Sequence, residues 1–353
     1  MEVQKDRYPS LNGLRALSIL LVVSSHLGIK ENWLAKIEEY RWLRPFTKLI
    51  QEGNLGVNVF FVISGFLITS LMLNEEDNTK IVSLRKFYIR RTLRIFPAYY
   101  FLLLVYFVLQ LFNVINLSDI SWITAITYTK YFNLSSDWIT SHGWSLSVEE
   151  HFYLFWPLIF VYGYQYREKA VVALILLVPI VRIALHFYPI DWIDQFTIFT
   201  RIDAIATGCL FALYKDKIVE KIQTHWKKVF YLSIITIVCL PSLNSIFRGT
   251  IFAFIFIPLG TTYGTIANFD VGLLMMYSIF GPQKLWFKFL NLKIINFIGL
   301  LSYSIYLWQQ IFISGLDYWV TTYPQNLLLL CIVAIGSYYI IEKPFLSLKK
   351  RWA

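Results

Sequence analysis

Charge is what this sequence has least of. Asp, Glu, Lys and Arg make up 15% of its 353 residues, against about 25% in ordinary soluble domains. Hydrophobic residues reach 57% and mean hydropathy is +0.55. A soluble globule of this length cannot hide so much apolar surface, and the excess must face lipid. Cysteine is also scarce. Cys209, Cys239 and Cys331 all fall inside apolar segments, which implies packed small residues and excludes a disulfide framework or a metal-ligand spacing. Period-two alternation with turns about every ten residues is lacking, which excludes an outer-membrane barrel. There is no P-loop, no Gly-x-Ser-x-Gly elbow, no His-Glu-x-x-His and no dinucleotide fingerprint, so ATP-driven transport and metal-dependent hydrolysis lose support. No basic, aromatic-interleaved domain stands apart from the apolar segments to bind nucleic acid. Repeats, low-complexity tracts and linkers are missing too. Residues 1–353 are therefore read as a single transmembrane domain.

What the sequence does have is a series of long apolar runs. A hydrocarbon core about 30 Å thick needs about 20 such residues per helix. The runs predict an all-α, polytopic fold of about ten spans: 10–28, 55–73, 95–116, 144–164, 170–188, 199–214, 229–246, 251–280, 299–316 and 324–342. Residues 121–132 are apolar but short, as for a segment at the membrane interface. The eighth span is long and holds Gly260, Gly264 and Asn268, as for a broken or tilted helix. The first run is a helix and not a cleaved signal, because Arg15 and His26 interrupt it and no small-residue cleavage site follows. With ten spans both termini share one side, and 22 of the 32 Lys and Arg residues lie in the loops on that side. That bias places the termini in the cytoplasm and accounts for the net charge of +10. The location expected is the inner (plasma) membrane.

Ionisable side chains within spans are costly and are functional candidates by default. Arg15 and His26 stand 11 residues apart, close to three helical turns, so they share one face about 16 Å apart along the axis. Two side chains snorkelling to opposite interfaces would give the same spacing. Glu149 and Glu150 lie at the start of the fourth span, little more than a turn below the expected outer surface and at the depth of His26. A carboxylate there can orient a His base and stabilise its imidazolium. Acidic residues in a first helical turn also meet the helix dipole favourably. His142 and His151 lie nearby and could replace His26. On the cytoplasmic side Arg91 and Arg94 fall on one helical face at i, i+3, and guanidinium forks suit phosphates. Positive-inside topology alone also puts basic residues there. Arg201 and Asp203, at the outer end of the sixth span, could pair with each other. Ser64-Gly65 allows close helix approach, with packing as its default role.

Taken together, these segments resemble the acyltransferase 3 family of membrane proteins, which includes O-antigen and exopolysaccharide O-acetylases. Leu11-Asn12-Gly13-Leu14-Arg15-Ala16, followed after ten residues by His26, resembles the family's first helix. Gly56-Val57-Asn58-Val59-Phe60-Phe61-Val62-Ile63-Ser64-Gly65-Phe66-Leu67 resembles its second span. Arg91-Thr92-Leu93-Arg94 and Trp144-Ser145-Leu146-Ser147-Val148-Glu149-Glu150 match its Arg-x-x-Arg and Trp-Ser-Leu-x-x-Glu elements. Leu301-Ser302-Tyr303-Ser304-Ile305-Tyr306-Leu307-Trp308 and Glu342-Lys343-Pro344-Phe345 match its ending. The family commonly has Asp where Asn12 stands and His where Gln309 stands, which leaves His26 as the principal base.

The resemblance implies a cytoplasmic acyl-CoA donor, acetyl-CoA by default, and a hydroxyl acceptor on an envelope glycan or small molecule. By the same resemblance His26 is the catalytic residue, Arg15 supports it or the donor, and Arg91 and Arg94 hold the coenzyme. The expected mechanism has Glu149 orienting His26, with Glu150, Arg201 and Asp203 supporting the acceptor side. Many members carry a C-terminal SGNH hydrolase-like domain, for which this chain is expected to end too early. The rival reading is a secondary transporter or flippase for an envelope glycolipid, which an inverted repeat between halves would favour.

Overall fold

The computed structural model describes residues 8–31, 53–132, 137–190, 197–247, 264–316 and 318–349, with single positions 47, 50 and 351 besides. Among them no strand forms. The helices in chain order are α1 (Leu11–Glu31), α2 (Gly53–Thr79), α3 (Leu84–Leu111), α4 (Asp119–Ile126), α5 (Gly143–Tyr162), α6 (Arg167–Phe187) and α7 (Ile198–Leu213). They continue with α8 (Lys215–Ile222), α9 (Trp226–Phe247), α10 (Thr265–Phe280), α11 (Leu285–Leu290), α12 (Lys293–Phe312) and α13 (Gln325–Ser337). A π-helical turn (Tyr338–Glu342) then leads into α14 (Lys343–Lys349). Each predicted span thus falls on a helix, although the first part of the eighth, 251–263, lies outside the described residues.

Among the described residues, five stretches are long and apolar enough to cross a membrane: Leu11–Glu31, Gly53–Thr79, Leu84–Leu111, Tyr164–Phe187 and Gln325–Leu348. The 16 residues of α7 and of α10 rise about 24 Å at 1.5 Å per residue, short of a 30 Å hydrocarbon core. One boundary moves substantially. α3 begins at Leu84, eleven residues before the predicted third span, because the Ser83 hydroxyl caps it by accepting from the Lys86 N–H at 3.3 Å. Arg85 to Arg94 therefore form the first turns of the helix itself.

The chain divides into two compact units. One comprises residues 1–77 and 165–302, the other 78–164 and 303–353. Small residues set the packing of the first. α2 and α7 cross with Gly65 against the Ile205 carbonyl and Gly208 against that of Val62, so closely that a Cβ at either position would collide with backbone. The buried Cys209 thiol donates to the Gly65 carbonyl at the same crossing. Gly65 thus performs the packing role its sequence context predicts. Cys239 and Cys331 are exposed, a departure from the expected burial of all three cysteines. α1 lies antiparallel to α2, with the Ser18 hydroxyl donating to the Gly56 carbonyl and Ser25 against Gly53. Val62, Phe66, Phe211 and Met275 fill the core between these helices.

In the second unit α3 and α5 are antiparallel. Contacts run from Tyr88–Leu154 to Arg91–Glu150, and Tyr106–Ile139 continues the line just ahead of α5. α4 is laid along α3 by Tyr99 and Tyr100, whose hydroxyls donate to the Ala125 and Ile126 carbonyls at 2.8 and 3.0 Å. α12 joins them through Tyr303, which donates to the Ile95 carbonyl at 2.9 Å.

Candidate active site

α1 runs without a break through both of its ionisable residues, so the helical spacing holds and Arg15 and His26 occupy one face. Both are half-buried. At the His26 end Ser25 packs on Gly53, and the next residue of α2, Asn54, accepts a hydrogen bond from Arg201 at 2.7 Å. The amino-terminal end of α7 therefore stands at the level of His26.

Arg201 does not face Asp203 as the sequence leads one to expect. Two residues apart on a continuous helix, the two side chains project about 200° apart. Asp203 instead receives Arg182 of α6 at 2.6 Å, Thr265 at 2.8 Å and Asn268 at 3.0 Å. Asn268 in turn accepts from Asn58 at 2.7 Å, and Asn58 accepts from Arg201 at 3.3 Å. The result is one buried polar chain linking α2, α6, α7 and α10. Arg182, Asn58 and Asn268 went unassigned in the sequence. The one signal available was that Arg182 is a charge inside a span.

The second unit brings Arg91, Arg94, Glu149 and Glu150 together. Arg91 lies 3.8 Å from a carboxylate oxygen of Glu149 and 3.8 Å from one of Glu150, and its guanidinium sits 3.5 Å over the Tyr153 ring. At an effective dielectric near 20 each such charge pair is worth roughly 4 kcal/mol before desolvation. This corrects the expected depth of Glu149. Arg91 is 20 residues from the Leu111 end of α3, so Glu149 lies about 30 Å from that end, not one turn below it. The cause is the segment 117–126 ahead of α5, which is laid back along α3.

Two features hold that connection. The fully buried Lys130 pairs with Asp137 at 2.7 Å, and its own N–H donates to the Ser147 hydroxyl at 3.2 Å. The Thr140 N–H donates to Asp137 at 2.6 Å. Burial acts to raise the Asp137 pKa, but the hydrogen bonds from Lys130 and Thr140 prevail and hold it down at about 2.

Arg94 shares the electrostatic field of Glu149 and Glu342. Glu342 ends the π-helical turn, is buried, and accepts from the Ser304 hydroxyl of α12. Two guanidiniums thus stand among three carboxylates. Glu342 was legible only as part of a terminal motif. A cavity of about 310 Å³ opens beside the cluster, lined by Arg91, Glu150, His151, Phe96, Tyr128 and Tyr153 among others. His151 Nδ1 donates to the Ser147 carbonyl at 2.8 Å, which leaves Nε2 as the basic nitrogen. Tyr128 stacks on Tyr99 at 4.5 Å, and its hydroxyl, the Arg91 Nε and one Glu150 oxygen are buried without a hydrogen-bond partner. The cavity is aromatic-walled, with both signs of charge on its lining, and suits a polar ligand.

O-acetyltransferase OatA of Staphylococcus aureus (strain NCTC 8325 / PS 47) is 30% identical over 370 residues, covering 97% of this chain and 58% of that protein. A second relative, from S. aureus strain COL, is 31% identical over 381 residues with the same coverages. The chain thus spans 58% of the length of these relatives. No solved structure matches it. The family model for the acyltransferase domain matches residues 8–342, from the turn before α1 to Glu342, and the chain belongs to the acyltransferase 3 family.

Proposed function

We propose that this chain is a multi-pass inner-membrane O-acyltransferase that moves an acetyl group from cytoplasmic acetyl-CoA to a hydroxyl of an envelope glycan, glycolipid or small acceptor. Ten spans with both termini in the cytoplasm belong to this reading, supported by the lysine and arginine bias of the loops. The observation that carries it is α1, an unbroken helix in an acyltransferase-family chain with Arg15 and His26 on one face. His26 takes the proton of the acceptor hydroxyl as its oxygen attacks the thioester carbonyl. The carbon–sulfur bond then breaks, and the imidazolium returns the proton to the departing thiolate. Positioned proton transfer of this kind contributes about 10²–10⁴-fold. Arg15 supports the donor from the same face; on the acceptor side Arg201 holds the α7 end against α2 and Asp203 holds it against α6 and α10.

The donor's phosphates meet α3. Arg85 and Lys86 are exposed on its first turn and supply positive charge, while Arg91 and Arg94 are balanced by carboxylates. A phosphate reaching Arg91 exchanges with Glu149 or Glu150. This assigns Glu149 to positioning Arg91, where the sequence alone pointed to His26.

The test is transfer of label from radiolabelled acetyl-CoA in membrane vesicles, comparing wild type with His26→Ala at matched expression. Label entering an envelope acceptor only with wild type supports the mechanism. Equal labelling would remove His26 from catalysis and move attention to Glu149, Glu150 and His151. Saturable acetyl-CoA binding should weaken at least tenfold in Arg91→Met and in Arg94→Met, and unchanged binding in both would refute this donor site.

A further inference from the structure

Outside the cluster around Arg91, the greatest concentration of unpaired polar atoms among the described residues lies on three consecutive residues of α12. Trp308 Nε1, both amide atoms of Gln309 and the Gln310 Oε1 are buried without hydrogen-bond partners. Gln309 is the extreme case, because it has no exposed surface and neither its donor nor its acceptor is matched. Burying an amide in this state is strongly unfavourable in an apolar interior, and buried polar groups in folded proteins are almost always satisfied. An apolar residue would serve better if packing were its only task.

The side chain is not simply misaligned, because its neighbours fix the rotation of α12. The Tyr306 hydroxyl donates to the His142 carbonyl at 2.9 Å and lies 2.6 Å from the Ser145 hydroxyl. Gln310 Nε2 donates to the Ser141 hydroxyl at 3.2 Å, and the Gln310 backbone carbonyl accepts from the Trp138 indole at 3.3 Å. The Trp308 ring meets Phe101 edge-on at 6.2 Å. Gln309 is therefore held about 60–100° around the helix from Tyr306 and Gln310, away from the groups that pair them. Through the Trp308–Phe101 contact its level is that of Phe101, about 15 Å along α3 from Arg91.

We propose that Gln309 is a substrate-binding residue whose amide pairs with a group that both donates and accepts a hydrogen bond, either an amide of the pantetheine arm of acyl-CoA or the acceptor's hydroxyl. This rests on the acyltransferase reading above. The pantetheine arm is a long chain with two secondary amides between the phosphates and the thioester. An arm whose phosphates lie near Arg91 passes deeper into the protein at the level of Gln309. A side-chain amide offers such a group one N–H and one C=O in a single plane. With no proton to give up, it orients the substrate without taking part in the proton transfer assigned to His26.

The experiment uses the full chain in vesicles, with wild type, Gln309→Leu and Gln309→Met. It measures acetyl-CoA binding, label transfer to the vesicle acceptors and thermal unfolding in detergent. Removing an unpaired buried amide should leave the melting temperature unchanged or raise it, while transfer falls tenfold or more. A parallel tenfold weakening of acetyl-CoA binding assigns the partner to the pantetheine arm; unchanged binding with reduced transfer assigns it to the acceptor hydroxyl. Either pattern supports the proposal, and the pH dependence of transfer should stay that of wild type in both. Wild-type transfer in two folded variants overturns it and leaves the acyltransferase reading standing. Wild type that neither binds nor transfers overturns both, and is recognised because the failure precedes any substitution.

Discussion

The Asp203 carboxylate makes a sharp test of how the first unit is held together. It is fully buried, and Arg182 at 2.6 Å is its ionic partner. Asp203→Ala leaves the Arg182 guanidinium buried with the Thr200 carbonyl and the Thr265 hydroxyl, and takes the acceptor from Thr265 and Asn268. Breaking a buried pair by removing one partner costs about 3–5 kcal/mol. Asp203→Asn keeps the shape and an acceptor and removes the charge, so its loss should be smaller, about 1.5–3 kcal/mol. Replacing the whole pair by apolar residues removes the stranded charge as well, so Arg182→Met with Asp203→Leu should be no less stable than Asp203→Ala alone. The assay is unfolding of the purified protein by denaturing detergent, followed by tryptophan fluorescence. A loss under about 1 kcal/mol for Asp203→Ala, or simple additivity in the double variant, would refute the network as a stabilising unit.

Other expectations follow from the same geometry. Gly65→Ala and Gly208→Ala each place a methyl where backbone already stands, and should each lose about 1–3 kcal/mol or more by forcing α2 and α7 apart. Gly336 has nothing within 4 Å of a built Cβ, so Gly336→Ala should be neutral or gain up to about 1 kcal/mol; equal losses at all three sites would discredit the crossing. For Asp137 the folded pKa of about 2 lies below the unfolded value of about 3.9. Its contribution is therefore fully present above about pH 4 and is lost as pH falls through about 2. Melting temperatures at pH 3 and pH 6 should converge for wild type and Asp137→Asn as the pH is lowered; a constant gap between them would count against the Lys130–Asp137 pair.

How much was readable beforehand depended on whether a feature is local. Hydropathy and helical period are properties of a dozen neighbouring residues, and they located α1, α5, α6 and α7 to within about three positions at either end. They also put Arg15 with His26 and Arg91 with Arg94 on common faces, because rotation per residue is fixed once a helix is continuous. The start of α3 at Leu84 was obscured because its first turns carry basic side chains, which hydropathy scores as loop although they form helix readily.

Pairings between helices were not readable, because they depend on register and on which helix lies opposite. Asp203 has Arg201 two residues away in sequence, yet its partner is Arg182, since i and i+2 point apart while α6 packs against α7. Glu149 stands beside Arg91 because residues 117–126 fold back along α3, and the start of α5 lies well away from the end of α3. Glu342 was visible in the sequence only as part of a terminal motif, and Gln309 only as a departure from the family's usual His, with no sign that either is buried. The sequence by itself determined a membrane-embedded helical chain and the faces on which its ionisable residues lie. Only the tertiary structure decided which charges neutralise one another and which buried polar groups are left to meet a substrate, because burial and pairing are properties of several segments at once.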